Sequence, residues 1–170
     1  MKPSDFFQHC PRCGAHASAP CDRGPFDCAA CGFRYFFNPT VAVAVFIARD
    51  DGRVLFIRRA KEPAQDKLAP PGGFIDVGET AEAAARREVR EEVGLGLTSL
   101  SFLSSHPNTY HYRDVTYPVL DLFFTARAVG EITVDAGEVA GVAWLDPRTV
   151  PLEEIAFPSM RAAWEQWRTG

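Results

Sequence analysis

Two cysteine pairs near the start of the chain constrain its folding more than any other feature. Cys10-Pro11-Arg12-Cys13 and Cys28-Ala29-Ala30-Cys31 are CxxC knuckles with fourteen residues between them. One CxxC turn presents two thiolates at a corner, and the second pair completes a tetrahedral Zn²⁺ site. Gly14 and Gly32 directly follow the second cysteine of each pair and suit the tight turn that aims backbone N–H groups at sulfur. A closed four-cysteine site has no open position, so the expected Zn²⁺ is structural. So short a piece cannot bury a stable core unaided, and metal supplies what is missing. Reduced thiol pairs or a redox pair are the alternatives. Cys21 reads as a free thiol in the intervening loop, and His9 or His16 as a less favoured replacement ligand.

The chain changes character after this segment. We expect a zinc ribbon over residues 1–37 and a second domain over 38–170. Val41–Ala48 reads as a buried strand, Asp50-Asp51-Gly52 as a turn, and Val54–Arg58 as the hairpin partner. Ala69-Pro70-Pro71-Gly72-Gly73 is a loop. Thr80–Val93 predicts a helix closed by Gly94. Ser99–Leu103, Val115–Ala126 and Val139–Leu145 predict strands. A final helix, Ser159–Trp167 opened by Pro158, places Met160, Ala163, Trp164 and Trp167 near one face. Strands mixed with a few helices give an α/β or α+β class.

Charge narrows the function. Of 170 residues, 18 are basic and 22 acidic, a formal net charge of −4. No general basic field draws in a nucleic-acid backbone, which argues against nucleic acid as the partner. Arg12, Arg23 and Arg34 form at most a local patch. The longest apolar run, Val41–Ala48, is too short for a membrane span. Without an apolar leader, and with cysteines spaced for metal, the reading is a reducing cytoplasm.

The predicted central helix carries the chemistry. Glu88, Glu91 and Glu92 share one stripe, and no Lys or Arg lies three or four residues from Glu92. Like charges at that spacing repel. Ala81, Ala84 and Ala85 are read as leaving room above the stripe. Such a ridge makes sense if Mg²⁺ or Mn²⁺ sits on it, since hard carboxylate oxygens suit these ions and the ions bridge phosphates. Spacing alone leaves a solvated acidic face as the alternative.

The ordered pattern is longer. Gly73, five residues, Glu79, seven residues, Arg87-Glu88-Val89-Arg90-Glu91-Glu92-Val93-Gly94-Leu95 resembles the complete Nudix box, with every fixed position filled. The resemblance covers roughly residues 39–170. The preceding ribbon is similar to that of the NADH pyrophosphatase branch and of ADP-ribose pyrophosphatase relatives. The fold implied is a Nudix-type α/β/α sandwich with a mixed sheet behind a small zinc ribbon. The resemblance implies metal-ligand roles for Glu88, Glu91 and Glu92, and for the backbone carbonyl of the Gly73 loop. It implies a supporting pair between Glu79 and Arg87. It further implies an additional Glu upstream of a strand tryptophan as ligand or base. Glu138, six residues before Trp144, is that candidate, with Glu131, Asp135 and Glu154 as rivals.

The activity implied is hydrolysis of a nucleoside diphosphate linked to another moiety, with Glu91 or Glu138 taking the proton of the attacking water. Specificity is expected from Ser104–Tyr117. Tyr110, Tyr112, Tyr117 and Phe74 are candidates for stacking on a base, with ordinary packing as the alternative. NADH pyrophosphatases carry Ser-Gln-Pro-Trp-Pro-Phe-Pro here. This chain has Ser105-His106-Pro107-Asn108-Thr109-Tyr110, without the Trp or the Pro-Phe-Pro. That favours an ADP-ribose-like substrate over NADH. Arg58 and Arg59 close the second strand; they are read as solvated strand-end charges, with contact to phosphate as the alternative. A non-catalytic nucleotide sensor using the ribbon for partner contact, and a capped-RNA hydrolase, are the alternative classes. The C-terminal helix serves either as a homodimer interface or as packing on its own sheet.

Overall fold

The computed structural model describes residues 1–17 and 24–169, so Cys21 and Arg23 lie outside the described residues. Contacts divide the chain into two compact units. One is Met1–Thr40 with Thr109–Pro118, and the other is Val41–Asn108 with Val119–Gly170.

In the first unit, β1 (Phe26–Asp27) pairs antiparallel with β2 (Arg34–Tyr35). Its small core is Cys10, Phe26 and Cys28, with Phe7, Phe33 and Phe37 packed against them. Phe7 stacks on Tyr35 at 5.1 Å and meets Phe37 edge-on at 4.7 Å.

The second unit is a three-layer α/β arrangement. One sheet has the order β3 (Thr40–Ile47), β7 (Val115–Val129), β6 (Gly96–Tyr112); the other has β5 (Leu68–Ala69), β4 (Val54–Arg59), β8 (Val139–Leu145). β4 runs antiparallel to β5 and β8, whereas Leu68 and Ile155 form a parallel bridge. The helices are α1 (Ala81–Val93) and α2 (Pro158–Thr169).

Strand alternation builds the layers. Val43, Val45 and Ile47 of β3, with Leu55 and Ile57 of β4, pack with Ala84, Ala85, Val89 and Val93 of α1. The intervening residues Ala44, Phe46, Val54 and Phe56 pack with Ala163 and Trp164 of α2. Trp164 lies 5.5 Å from Phe46 and 5.0 Å from Phe56, ring to ring. α1 is bounded as its sequence dictates. Thr80 Oγ1 accepts from Ala83 N at 3.1 Å, and Gly94 ends the helix in the left-handed region at φ 73°.

Three expectations are corrected. β3 and β4 are not a hairpin ladder: the chain reverses at Asp50–Gly52, yet only the Ala48–Val54 bridge joins them before they enter different sheets. β4 is the middle strand of its sheet, whereas β3 ends its own and pairs on its other side with the loop that precedes α1. Ser104–Asp114, left between the predicted strands Ser99–Leu103 and Val115–Ala126, is strand on either side of a tight turn. β6 and β7 continue through it and turn at Arg113 and Asp114, both at positive φ (46° and 64°). A two-residue turn of that kind matches strand twist, and Thr109, Tyr110 and Tyr112 suit a strand. Finally, Ala84 and Ala85 leave no room above the carboxylates; they are fully buried because α1 needs small residues to approach the sheets.

Candidate active site

The loop before α1 makes the site. Val45 N donates to Pro71 O at 2.9 Å, Val43 N to Gly73 O at 2.8 Å, and Ile75 N to Val41 O at 3.0 Å. These bonds lay Pro71–Ile75 antiparallel along β3. Gly72 makes this possible: a Cβ there would overlap the Val43 carbonyl oxygen and come within 2.7 Å of Ala44 Cα. A Cβ on Gly73 would lie 2.6–2.7 Å from the Glu88 carboxylate. The two glycines thus bring backbone against the helix's acidic side chains.

Arg87 organises that side. Its Nε and one terminal nitrogen donate to the two oxygens of Glu79 at 3.0 and 2.8 Å. The same nitrogen reaches Phe74 O at 3.0 Å. The other terminal nitrogen donates to Glu88 Oε1 at 2.6 Å and Glu91 Oε2 at 3.0 Å. One guanidinium therefore ties the loop, its acidic end and two box carboxylates together.

Glu92 lacks such a partner. It is 6% exposed, and its Oε2 accepts a single backbone bond from Gly72 N at 2.9 Å. Burial pushes its carboxyl up to about 8, the charges of Glu88 and Glu138 add to the rise, and the Gly72 amide and the Arg59 cation oppose it. Glu88 is also raised, by burial first, against the pull of Arg87 and with the push of Glu91 and Glu138. Glu91 points out, with its side chain 56% exposed.

Glu138 thus belongs electrostatically to this group. The chain sets it there because β4 shifts register between Arg58 and Arg59, opposite Val139, and Ala60 N donates to Glu138 O at 3.0 Å. The rivals have other work. Asp135 caps its own turn through Gly137 N at 2.8 Å, and Glu154 is held by Lys67 and Arg58. Glu131 lines a separate groove of about 520 Å³ with Trp144, Arg49 and Arg127. Phe74 is 39% exposed beside the box, whereas Tyr110, Tyr112 and Tyr117 fall in the first unit.

Sequence reasoning passed over Gly72 and favoured the wrong one of two readings of Arg59. Arg59 is not a solvated charge: its Nε donates to Pro63 O at 2.9 Å, its guanidinium sits 5.2 Å over the Phe157 ring, and its charge is felt at Glu92. Nothing in the strand pattern marks it. Gly72 was legible only as part of a Pro-Pro-Gly-Gly loop.

The cysteines fit a metal of a different kind. The sulfurs of Cys10, Cys13, Cys28 and Cys31 all lie within 4.8 Å of one another, with Cys10–Cys31 and Cys13–Cys28 at 3.7 Å. Four sulfurs ~2.3 Å from a tetrahedral zinc stand roughly this far apart. The two knuckles repeat one geometry: Gly14 N donates to Cys10 O and Gly32 N to Cys28 O, each at 2.9 Å. Burial works against the Cys10 thiolate, but backbone N–H groups of Cys13 and Arg12 bring it down to about 7. Cys31 is instead raised to about 12; its bond from the Phe33 amide is outweighed by burial and the other three thiols. Four thiolates cannot coexist here without a cation. No other group of three such ligand atoms is drawn so close among the described residues. The box carboxylates are more open, since Arg87 holds two of them.

A family model described as NUDIX domain matches residues 38–164. The chain belongs to the Nudix family and is a pyrophosphohydrolase. It is 29% identical over 140 residues to ADP-ribose pyrophosphatase of Methanocaldococcus jannaschii, covering 81% of this chain and 80% of that one. It is 31% identical over 161 residues to the NAD-capped RNA hydrolase NudC of Deinococcus radiodurans, covering 91% of this chain. It spans only 54% of that relative's length. Among solved structures, it resembles a NUDIX hydrolase from Nitrosomonas europaea with TM-score 0.69 and 21% identity, over 96% of this chain and 93% of that one. A MutT NUDIX hydrolase from Burkholderia pseudomallei matches with TM-score 0.65 and 27% identity, over 76% of this chain and 98% of that one. Among the described residues, no helix is long and apolar enough to cross a membrane.

Proposed function

We propose that this protein is a Mg²⁺- or Mn²⁺-dependent hydrolase that cleaves the diphosphate of an ADP-ribose-like nucleoside diphosphate. The observation that carries the reading is Glu92, a buried carboxylate bonded only by the Gly72 amide that also feels the charges of Glu88 and Glu138. Glu88, Glu91, Glu92, Glu138 and the Gly73 carbonyl would hold the divalent ion. When bound, the ion neutralises the diphosphate and lowers the pKa of water.

The chain's own groups do the rest. Glu91 or Glu138, both exposed, accepts the proton of the attacking water. Arg87 holds the loop and helix in register, so the donors are placed before substrate arrives. Arg59 supplies a cation beside the carboxylates for a developing phosphate charge. The ribbon, residues 1–37, carries a structural Zn²⁺, and residues 38–170 carry the reaction.

The similarity to an ADP-ribose pyrophosphatase over 80% of that protein's length favours the small substrate. A second reading, a dinucleotide or NAD-capped RNA, is favoured by the NudC relative, whose match takes in 91% of this chain. A chromatographic panel of ADP-ribose, NADH, NAD and NAD-capped RNA with Mg²⁺ separates them. ADP-ribose cleaved with the greatest kcat/KM supports the first reading. Preference for NADH or capped RNA replaces it with the second, and no cleavage, with intact fold, leaves a nucleotide sensor.

A further inference from the structure

A cleft of about 510 Å³ lies wholly within the first unit. Its walls are the first residues of the chain, the stretch from β2 to the start of β3, and the part of the β6–β7 hairpin that belongs to this unit. Small-molecule sites run from ~300 to ~1,000 Å³, so the space is ample for one nucleotide. Among the described residues, no Asp or Glu lines it, the box carboxylates included.

Main-chain bonds and ring contacts hold the walls in place. Met1 N donates to Asp114 O at 2.8 Å, and Thr116 N donates to Met1 O at 2.7 Å. These two bonds lay the first residue along β7 and so bring Lys2 and Ser4 to the same cleft as Thr116 and Tyr117. Asp5, the acid nearest in sequence, is turned onto the backbone, where its Oδ2 accepts from Lys2 N at 2.8 Å. On the β2 side, Phe7 stacks on Tyr35 and Phe37 meets Tyr35 edge-on at 5.2 Å. The Tyr35 ring is thereby fixed, while 45% of the residue remains exposed. A platform fixed in advance loses little freedom when a ligand arrives.

The lining has a definite chemistry. Tyr35, Phe37 and Tyr117 supply ring surface, Ser4, Thr116 and Asn38 supply hydroxyl and amide groups, and Lys2 is the one cation among the described residues. Aromatic rings stack on nucleobases with little regard to which base it is. Hydroxyls and amides both donate and accept, which suits a base edge or a ribose. An ammonium with no carboxylate beside it in the cleft meets a phosphate as a point charge. With one such cation, and a net charge of −4 on the chain, the ligand carries one phosphate into the cleft and is not a long polyanion laid across it.

We propose that this cleft binds one nucleotide unit, with the base on the Tyr35 and Tyr117 rings and the phosphate at Lys2. A free nucleotide and one residue of a single strand present the same groups. The site stands or falls independently of hydrolysis at the box.

The test is a ¹⁵N NMR titration of the full chain without added divalent ions. The ligands are adenosine, AMP and a five-residue oligoadenylate with a 5′-hydroxyl, none of which carries a diphosphate. Saturable shifts are expected at the amides of Lys2, Tyr35 and Thr116, with AMP bound about fivefold or more tighter than adenosine. Lys2→Glu should erase that advantage and leave adenosine binding and Tm as they were, a combination that a purely structural role would not give. Tyr117→Leu should weaken all three ligands about fivefold or more. If that variant fails to fold, Lys2→Glu alone decides. An oligonucleotide held about tenfold or more tighter than AMP would assign the site to a strand, and equal affinity to a free nucleotide. Shifts confined to the box residues, unchanged AMP affinity in Lys2→Glu, or tighter binding of a neutral sugar such as maltose would each overturn the proposal.

Discussion

The buried carboxylate of Glu92, on α1, accepts its one hydrogen bond from the backbone N–H of Gly72, in the loop laid along β3. That 2.9 Å contact joins the helix to the loop at the most enclosed acidic position of the site. It also fixes what substitutions there should do. Glu92→Gln removes a charge but keeps an oxygen to accept from Gly72. Turnover should fall by at least about a thousandfold, as when a group stabilising a transition-state charge is lost. Thermal denaturation should show Tm unchanged or raised above neutral pH. A lowered Tm with turnover retained would assign Glu92 to the fold alone.

The sign of the pH dependence follows from the same residue. Its carboxyl titrates at about 8 in the folded chain, against ~4.5 for an ordinary Glu. The folded state therefore holds this proton more tightly than the unfolded state. Its contribution is fully present below about pH 4.5 and is lost as pH rises through about 8. Metal-free protein should lose stability on the order of a few kcal/mol between pH 6 and 9. Mg²⁺ should raise Tm more at pH 8.5 than at pH 6, since binding displaces the proton. Glu92→Gln should flatten both trends; equal trends in wild type and variant would place the titration elsewhere.

The adjacent glycines should respond differently. Gly72→Ala sets a methyl against backbone atoms of Val43 and Ala44, which cannot yield without moving β3. A loss of about 2 kcal/mol or more in denaturant titration is expected. Gly73→Ala meets only the flexible end of Glu88. It should fold nearly normally but bind Mn²⁺ more weakly. Equal destabilisation by both would contradict the placement of the loop.

Arg87→Lys keeps the charge but cannot span both oxygens of Glu79 while holding Phe74 O. A fall in kcat of about ten- to a hundredfold is expected, by analogy with other supporting partners of metal ligands. Unchanged kcat would show that the pair is not needed to place the carboxylates.

For the cysteine quartet, elemental analysis of reduced protein should give about one zinc per chain. Cys28→Ser should abolish it and unfold the first unit. Full zinc content in that variant would put the metal elsewhere.

Much of this was legible in the sequence where periodicity and capping agreed. Thr80, the alanine-rich turns and Gly94 marked α1, and Val139–Leu145 was a strand as read. The box residues were legible as a pattern, but not that Glu92 would be buried and Glu91 exposed. A helical wheel gives direction, not depth. The long β6–β7 hairpin was hidden because Pro107 and Asn108 look like loop residues, and the positive-φ turn at Arg113-Asp114 lacks glycine. Arg59 was legible as a strand-end cation, but its contacts with Pro63 O and the Phe157 ring were not, because local composition does not encode them.

Metal-dependent hydrolysis through Glu92 is best probed by a side-by-side assay of wild type and Glu92→Gln on ADP-ribose over a Mg²⁺ titration, with products resolved by chromatography. The wild type should release AMP and ribose 5-phosphate only when the divalent ion is present, and the variant should release neither. Equal product from both proteins, or product in excess chelator, would contradict the proposed function.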